Sequence, residues 1–372
     1  MKITNIRIWH VRPRSAILKM ETDAGITGIG EAALEGRSRT VETAIKELSE
    51  YLIGQDPRRI EHHWQAMYRG TFYCGGPILT SAISGVEQAM WDILGKSLNV
   101  PVYQLLGGAV RDRIRMYKAV HGDTLDELRQ SVRQAVEEGF TMVKTGIADF
   151  PHMLEPPAFL HKQMERFEML REELGPDRDF AVDLHARLTP PQAIRLAREM
   201  ERLQPLFIEE PCPPENIDAM AEVARATSVP IATGERLYTK WAFRELLEKR
   251  AVSIIQPDLA HCGGIWEGRK IAAMAETGYT AFAPHNGIGS VNLAASLQLV
   301  ATVPNFLVQE FKELGDNLLK RPFVIKDGYI DLPEGPGLGI EIDDEKLAKL
   351  VYPGNYQIPM HFHQADGSFA AW

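Results

Sequence analysis

The chain has 372 residues, of which 45% are hydrophobic and 24% charged, and its 41 Lys and Arg against 50 Asp and Glu leave a formal charge of −9. This composition excludes a disordered or fibrous protein, and the length allows two domains or one large barrel with an attachment. An acidic chain without a basic run is a poor candidate for binding nucleic acid or an anionic membrane. An anionic substrate would therefore need local positive charge, for which a bound metal ion is the obvious source.

The cysteines and the N-terminus indicate a cytoplasmic protein. Cys74, Cys212 and Cys262 are odd in number and widely spaced, which predicts neither a disulfide framework nor a zinc site. The N-terminus runs into an alternating strand pattern and has no apolar signal core. Residues 277–309 lack formal charge but contain polar residues and proline, so they are predicted to form barrel interior and not a membrane span.

Residues 1–112 are predicted to form an α+β capping domain. Apolar residues alternate in three runs, at residues 3–8, 16–22 and 26–31. These runs predict a meander of antiparallel strands. Helical periodicity follows at residues 41–48 and 83–94.

Residues 113–320 are predicted to form a closed (β/α) barrel, because short apolar runs alternate there with amphipathic helices. Thr124 and Glu127 predict a capping box, Thr189 a hydroxyl cap, and Gly278 a helix end. Residues 321–372 contain three further apolar runs that are predicted to be strands returning to the first domain.

Seven ionisable side chains each follow a predicted barrel strand: Lys144, Asp183, Glu209, Glu235, Asp258, His285 and Glu310. From Asp183 onward they are 23 to 27 residues apart, which is about one βα unit. A closed barrel gathers the C-terminal ends of its strands on the face where barrel enzymes keep their active sites. These side chains are therefore predicted to converge.

Three of these side chains suggest a metal site. Asp183, Glu209 and Glu235 would repel one another unless a cation held them, and an all-oxygen set suits a hard ion such as Mg²⁺. Each carboxylate alone could equally cap a helix or pair with a surface Lys or Arg. Their succession at the same strand position favours the metal.

Asp258 and His285 follow neighbouring strands and could form a dyad in which the carboxylate orients the imidazole and raises its basicity. His185 lies two residues beyond Asp183, so on a continuing strand it would point to the same side. His185 could donate a proton to a leaving hydroxyl, or only hydrogen-bond to the loop.

The order of these motifs resembles the enolase superfamily, in its mandelate-racemase-like branch. They are Lys144, DLH at 183–185, FIEEP at 207–211, GER at 234–236, QPD at 256–258, PH at 284–285 and QE at 309–310. A second set resembles, more narrowly, the D-galactonate dehydratases: EGRSRTVE at 35–42, GGPIL at 75–79, APH at 283–285 and SFAAW at 368–372. Together they cover essentially the whole chain.

The resemblance implies a (β/α)7β-type TIM barrel with an α+β cap, a homo-oligomer, and Mg²⁺-dependent dehydration of a sugar acid to a 2-keto-3-deoxy acid. It implies that Asp183, Glu209 and Glu235 bind Mg²⁺. His285, supported by Asp258, would remove the C2 proton, Lys144 and Glu310 would stabilise the enediolate, and His185 would protonate the leaving C3 hydroxyl.

Some positions depart from the family pattern. Gly146 stands where racemases of this branch carry a second Lys, which favours elimination over racemisation. Residues 286–290 (NGIGS) and 118–121 also differ from the dehydratase pattern. These are substrate-facing loops, so another aldonate is possible.

Substrate recognition is predicted to involve Arg37, Tyr73 and His121, the first two on loops of the cap that would close on the substrate. One alternative function is a sugar-acid epimerase or racemase that uses His285 alone or with His121. A second is a non-catalytic sugar-acid or metal-binding protein, which would be expected to lack a proton-transfer residue.

Two weaker motifs receive simpler interpretations. GIG at 287–289 is a fragment of a dinucleotide fingerprint at the wrong place in a barrel. The histidine pairs His62–His63 and His361–His363 are predicted to be exposed surface residues and not metal ligands.

Overall fold

The computed structural model describes residues 1–147, 150–312, 318–356, 364 and 366–369. Its N-terminal part opens with an antiparallel sheet in the order β1–β2–β3, formed by Ile3–Val11, Ser15–Thr22 and Thr27–Glu31. Four helices follow: α1 Ser38–Leu52, α2 Ile60–Arg69, α3 Pro77–Leu98 and α4 Val102–Leu105. The predicted meander and the two predicted helices, α1 and α3, are confirmed.

Helix α3 packs very closely on the sheet because β3 carries glycine where the two meet. A Cβ placed on Gly30 would lie 2.0 Å from the carbonyl oxygen of Gly85, and one on Gly28 would lie 2.1 Å from that of Ala89. Any larger residue would push the helix away from the sheet. Most side chains of α3 are buried, because the side of the helix turned away from the sheet contacts the rest of the chain.

The second part of the chain is a closed barrel of eight parallel strands. They are β4 Arg113–Ala119, β5 Met142–Gly146, β6 Asp179–Asp183, β7 Phe207–Glu209, β8 Ile231–Thr233, β9 Ile254–Ile255, β10 Ala281–Phe282 and β11 Gln309–Phe311. Neighbouring strands pair in this order, β11 pairs with β4, and a bridge between Phe282 and Phe306 closes the cylinder. The predicted (β/α)7β-type TIM barrel is confirmed.

Seven helices connect the barrel strands and cover them. They are α5 Leu125–Glu137, α6 Pro157–Leu174, α7 Pro190–Met200, α8 Ile217–Arg225, α9 Thr239–Glu248, α10 Ile265–Thr277 and α11 Ser290–Val300, with a 3₁₀ turn at Glu201–Leu203. In the described part of the chain, no helix combines the length and apolar character needed to cross a membrane.

The interior of the barrel is filled with apolar side chains. Each strand or its extension contributes one buried residue to this layer: Tyr117, Met142, Ala181, Phe207, Ala232, Ile254, Ala283 and Val308. Because these side chains fill the barrel, a ligand can bind only at an end of the barrel and not inside it.

Two of the three predicted helix-end signals are confirmed. The Thr124 hydroxyl accepts a hydrogen bond from the Glu127 amide at 3.2 Å, and the Glu127 carboxylate accepts one from the Thr124 amide at 3.0 Å. Helix α10 ends at Thr277, and the predicted Gly278 is its C-cap residue. The predicted hydroxyl cap at Thr189 is wrong, because this hydroxyl donates to the Met153 carbonyl at 2.8 Å and ties down the preceding loop instead.

In the C-terminal segment one of the three predicted runs, at residues 329–332, forms a strand, whereas the runs at 323–325 and 340–342 do not. β12, Tyr329–Asp331, pairs antiparallel with the first half of β4, which extends beyond its barrel partners. The segment contacts the N-terminal part through isolated bridges from Gly337 to Pro101 and from Val351 to Val11. Helix α12, Asp344–Leu350, lies between Gly337 and Val351.

The prediction of exposed histidines is wrong for His63. This ring is buried, with Nδ1 2.8 Å from the Tyr51 hydroxyl and Nε2 2.9 Å from the Asp56 carbonyl. The adjacent His62 is exposed on the helix surface. The two histidines differ in burial because neighbouring residues of a helix point in different directions. His361 and His363 lie outside the described residues.

Candidate active site

The seven side chains predicted at the strand ends lie together at the C-terminal mouth of the barrel. Lys144 is their centre: its Nζ is 2.8 Å from both carboxylate oxygens of Glu209, 3.2 Å from Glu310 Oε1 and 3.4 Å from Asp183 Oδ2. The barrel register explains this convergence, because β5, β6 and β7 pair so that Gly146, Asp183 and Glu209 end side by side.

His285 and Asp258 form the predicted dyad. Nδ1 of His285 is 2.7 Å from Asp258 Oδ2, and Nε2 is 2.8 Å from Glu235 Oε2 and 3.6 Å from Glu310 Oε2. Burial would raise the pKa of Asp258, but the imidazoles of His261 and His285 and the hydrogen bonds it accepts lower it. Asp258 is therefore a charged carboxylate that can orient the His285 ring.

The site carries an excess of negative charge. Five buried or nearly buried carboxylates surround one ammonium group and the His285 imidazole. Burial and the neighbouring Asp183 raise the pKa of Glu209 well above its ordinary value. Burial would lower the pKa of Lys144, but the charges of Glu209 and Glu310 raise it well above its ordinary value.

The same imbalance determines the charge state of His285. Burial alone would lower its pKa, but Glu235 and Glu310 outweigh that effect and raise the pKa well above its ordinary value. Burial would likewise raise the pKa of Glu235, and the facing imidazolium lowers it instead. Without another cation, the carboxylates thus favour the positively charged forms of Lys144 and His285.

The donor set fits a hard divalent cation. Asp183, Glu209 and Glu235 supply only oxygen ligands, in a water-poor site with surplus negative charge. Across the described residues there is no ready-made cage of three or more Asp, Glu, His or Cys side chains, since Glu209 pairs with Lys144 and Glu235 with His285. A metal ion would replace these internal ion pairs.

His185 lies at the site for a different reason from the one predicted. The strand ends at Asp183, and His185 has a left-handed backbone conformation with φ of +47°. Its amide donates to Asp183 Oδ1 at 2.9 Å and its Nε2 is 3.3 Å from Asp183 Oδ2, so a tight turn around one carboxylate holds the ring. Half of the side chain remains exposed. A non-glycine residue in this conformation is uncommon and is often found at functional sites.

A cavity of about 490 Å³ lies over these groups. His185, Glu235 and His285 line one side, and the N-terminal part of the chain contributes Arg14 and Glu35. These two form an ion pair, and Arg14 also donates to the Gly287 carbonyl at 2.8 Å. The cavity is therefore built jointly by the cap and the barrel.

Sequence reasoning missed several residues of this cavity. Lys312 lines it, and its pKa is lowered by burial and by the nearby charge of Arg14. Strand alternation gives only a weak signal for Lys312, because it lies two residues beyond Glu310 but just after the end of β11. No comparable signal marks Arg14, which reaches the site only through tertiary packing.

The three predicted substrate-binding residues are less central. Arg37 is exposed and donates to the Gly36 carbonyl, whereas its loop neighbours Leu34 and Glu35 line the cavity. Tyr73 is 83% exposed and lines a separate cavity of about 420 Å³. His121 is exposed, and partial desolvation and the charges of Lys312, His185 and Lys144 lower its pKa.

Comparison with known proteins agrees with this architecture. Residues 10–107 match the mandelate racemase / muconate lactonizing enzyme N-terminal domain, and residues 127–346 match the enolase C-terminal domain-like family. A mandelate racemase/muconate lactonizing enzyme-like protein from Rubrobacter xylanophilus superposes with a TM-score of 0.89 at 36% identity, over 95% of this chain and 98% of that one.

Curated relatives match along their full length. D-galactonate dehydratases from Variovorax paradoxus and Cronobacter sakazakii are 44% and 43% identical to the chain, over 100% of both partners in each case. Together with the barrel and the order of its strand-end residues, these matches show that the chain belongs to the enolase superfamily, in its mandelate racemase / muconate lactonizing enzyme branch.

Proposed function

We propose that the protein catalyses the Mg²⁺-dependent dehydration of a sugar acid, with D-galactonate as the first candidate, to a 2-keto-3-deoxy acid. The observation that carries the proposal is the cluster of Lys144, three predicted metal-ligand carboxylates and the His285–Asp258 dyad beneath one cavity. The full-length similarity to D-galactonate dehydratases supports the substrate class.

Asp183, Glu209 and Glu235 would hold the cation. A divalent ion at this position supplies Lewis-acid stabilisation for negative charge on a substrate carboxylate. Lys144, which lies beside Glu310, would place its positive charge next to the same substrate carboxylate.

His285 would remove the C2 proton. In the neutral ring, the hydrogen bond from Nδ1 to Asp258 keeps the proton on Nδ1 and leaves the Nε2 lone pair free to act as base. Proton removal beside a carboxylate gives an enediolate, whose two oxygens would carry the new negative charge.

His185 would complete the elimination. Its half-exposed ring lines the cavity and could transfer a proton to the C3 hydroxyl, which leaves as water. The resulting enol then becomes the 2-keto-3-deoxy acid.

The epimerase alternative, in which His285 acts alone or with His121, is less well supported, because His121 is exposed and position 146 offers no second base. Position 146, at the end of β5, has no side chain, and a Cβ there would lie 4.0 Å from His185 Nδ1. The binding-only alternative is also disfavoured, because none of the proposed proton-transfer residues is missing.

Incubation with D-galactonate and Mg²⁺ tests the proposal. A 2-keto acid detected by a colour reaction is the expected result, whereas an epimerase gives a changed sugar acid without a keto group. Failure to form keto acid from any member of a panel of aldonates and aldarates would overturn it.

A further inference from the structure

We propose that Asn292, held by Gln88 of the N-terminal part, is the positioning residue that sets the orientation of Asp258 in the His285–Asp258 dyad. Asn292 lies in the first turn of α11 and is completely buried, as are Asp258 and Gln88. This inference rests on the proposed function for its kinetic consequences, but the contacts that carry it are independent of the substrate.

Asn292 binds the side of Asp258 that does not face His285. Its Nδ2 donates to Asp258 Oδ1 at 2.9 Å and to Asn286 Oδ1 at 3.0 Å. Asp258 Oδ1 also accepts from the Ala260 amide at 2.7 Å, which leaves Oδ2 for His285 Nδ1. The two donors on Oδ1 therefore fix the rotation of the carboxylate and with it the direction in which Oδ2 points.

Gln88 fixes which way the Asn292 amide points. Its Nε2 donates to the Leu259 carbonyl and to Asn292 Oδ1, both at 3.1 Å, and its Oε1 accepts from the Glu31 amide at 2.9 Å. A backbone carbonyl only accepts and a backbone amide only donates, so the Gln88 amide has a single satisfied orientation. This orientation requires Asn292 to present its oxygen to Gln88 and its nitrogen to Asp258.

The chain of contacts begins outside the barrel. Gln88 lies on α3 and Glu31 ends β3, and the Glu31 carboxylate accepts from the Asn292 backbone amide at 2.8 Å. Asn286, the second acceptor of the Asn292 amide, donates its own backbone N–H to Glu310 at 2.9 Å. The buried side-chain amide of Asn292 thus connects the N-terminal part of the chain to the His285–Asp258 dyad and, through Asn286, to Glu310.

Replacing Asn292 with Leu tests the inference, since Leu has similar volume and removes both donated hydrogen bonds. We expect kcat for dehydration to fall about 10- to 100-fold, the usual cost of losing a group that orients a functional side chain. KM should remain near the wild-type value, and C2-deuterated substrate should show an isotope effect at least as large as that of the wild type. A higher KM with unchanged kcat would overturn the inference.

Gln298→Leu is the matched control, because it removes another fully buried amide from the same helix. Gln298 accepts from the Tyr103 amide and donates to the Pro333 and Leu338 carbonyls, without contacting the dyad. We expect its thermal stability to fall as in Asn292→Leu while kcat is retained. Equal loss of kcat in both variants would assign Asn292 a purely structural role.

Gln88→Leu provides a second test if Asn292→Leu does not fold. It touches neither the dyad nor the predicted metal ligands, but it also donates to the carbonyl of Leu259, the residue after Asp258, so the double variant decides which contact carries a loss of kcat. The double variant should be no slower than Asn292→Leu alone, because both act through one path. Unchanged kcat in Gln88→Leu would overturn the relay.

A measurement without substrate separates this inference from the proposed function. The His285 Nδ1 proton bound to Asp258 should give a downfield proton resonance in ¹⁵N-histidine-labelled wild type and in Gln298→Leu, and is assigned by its absence in His285→Asn. It should weaken or exchange faster in Asn292→Leu. An unaltered resonance would overturn the relay even if the wild type proved to dehydrate no sugar acid, an outcome that would overturn only the proposed function.

Discussion

Two groups of buried carboxylates in this protein are held in opposite ways. Where α3 meets the barrel, Glu87 accepts hydrogen bonds from the amides of Ile265 and Trp266 and from the Trp91 indole, each at 2.8 Å. Asp92 on the same helix accepts from the amides of Ile29 and Leu338. Glu87 is thus held by neutral donors, whereas Asp92 adds the Lys96 ammonium group at 2.6 Å to its two backbone donors.

The carboxylates at the barrel mouth instead face one another. Asp183, Glu209 and Glu310 share the single ammonium group of Lys144, and Glu235 pairs with His285. Backbone donors can fix a structural carboxylate, whereas surplus like charge creates a demand for an external cation. The comparison indicates that burial alone does not identify a functional acid, but mutual repulsion does.

Removal of the proposed metal ion should have the largest effect on activity and the smallest on the fold. We expect exhaustive chelation, or Glu209→Gln, to abolish measurable keto-acid formation, because the enediolate would lose its main source of stabilisation. Glu87→Gln, a buried carboxylate at the interface, is the control and should keep its metal affinity by calorimetry. Full activity after chelation would contradict the metal site.

Loss of His285, the proposed base, should stop both C2 proton exchange and dehydration. We expect His285→Asn to lower both dehydration and the exchange of the C2 proton with deuterated solvent by at least about 10²- to 10⁴-fold. General base catalysis has that magnitude. NMR of the substrate in D₂O measures the exchange. Dehydration close to the wild-type rate would refute the assignment.

Loss of His185, the proposed acid, should slow dehydration but not C2 proton exchange. We expect His185→Asn to lower dehydration by about 10²- to 10⁴-fold while C2 exchange survives, because His285 and Asp258 remain in place. A fluoride leaving group at C3 needs less protonation and should restore elimination. If the fluoro substrate is no better than the hydroxyl substrate, His185 is not the acid.

The buried Glu87 at the interface between α3 and the barrel should make the stability of the fold depend on pH. Burial raises the pKa of Glu87 to about 8 from 4.5. The folded state therefore favours the protonated form, and the stability this contributes is present below pH 4.5 and lost as the pH rises through about 8. We expect the melting temperature of Glu87→Gln to fall less than that of the wild type over this range.

The exposed Glu248→Gln serves as the control for this pH profile, because its side chain is 67% exposed. Its melting temperature should follow that of the wild type at every pH. Parallel profiles for Glu87→Gln and the wild type would show that Glu87 does not titrate with folding.

The smallest effect is expected at the outer loops of the cap. Arg37→Ala or Tyr73→Ala should change the ranking of sugar acids by less than about tenfold in kcat/KM, because exposed groups contribute at most about 1 kcal/mol. Lys312→Met, within the cavity, should change it more. Metal affinity should be unaffected in all three. An unchanged ranking in the two cap variants would place specificity in the barrel loops.

The order of the site residues could be predicted because successive strands of a barrel lie side by side around a ring. Residues such as Asp183, Glu209 and Glu235 recur once per βα unit, so their common position at the strand ends follows from periodicity and from the closure of the sheet. The meander and the capping box at Thr124 were predictable for a similar reason, since their signals are local.

The unpredicted features are those that depend on contacts between distant segments. The left-handed turn at His185 follows from a hydrogen bond to Asp183 and not from strand alternation. Likewise, β12 pairs with the protruding start of β4, which no local pattern encodes.

The sequence by itself determined the fold class and the identity of the strand-end residues, because hydrophobic period and spacing are properties of short segments. Apart from the predicted His285–Asp258 pair, only the tertiary structure decided which charges face one another. Lys144 pairs with Glu209 across 65 positions, and Gln88 meets Asn292 across 204. Such pairings depend on the packing of the cap against the closed barrel, and local periodicity carries no information about them.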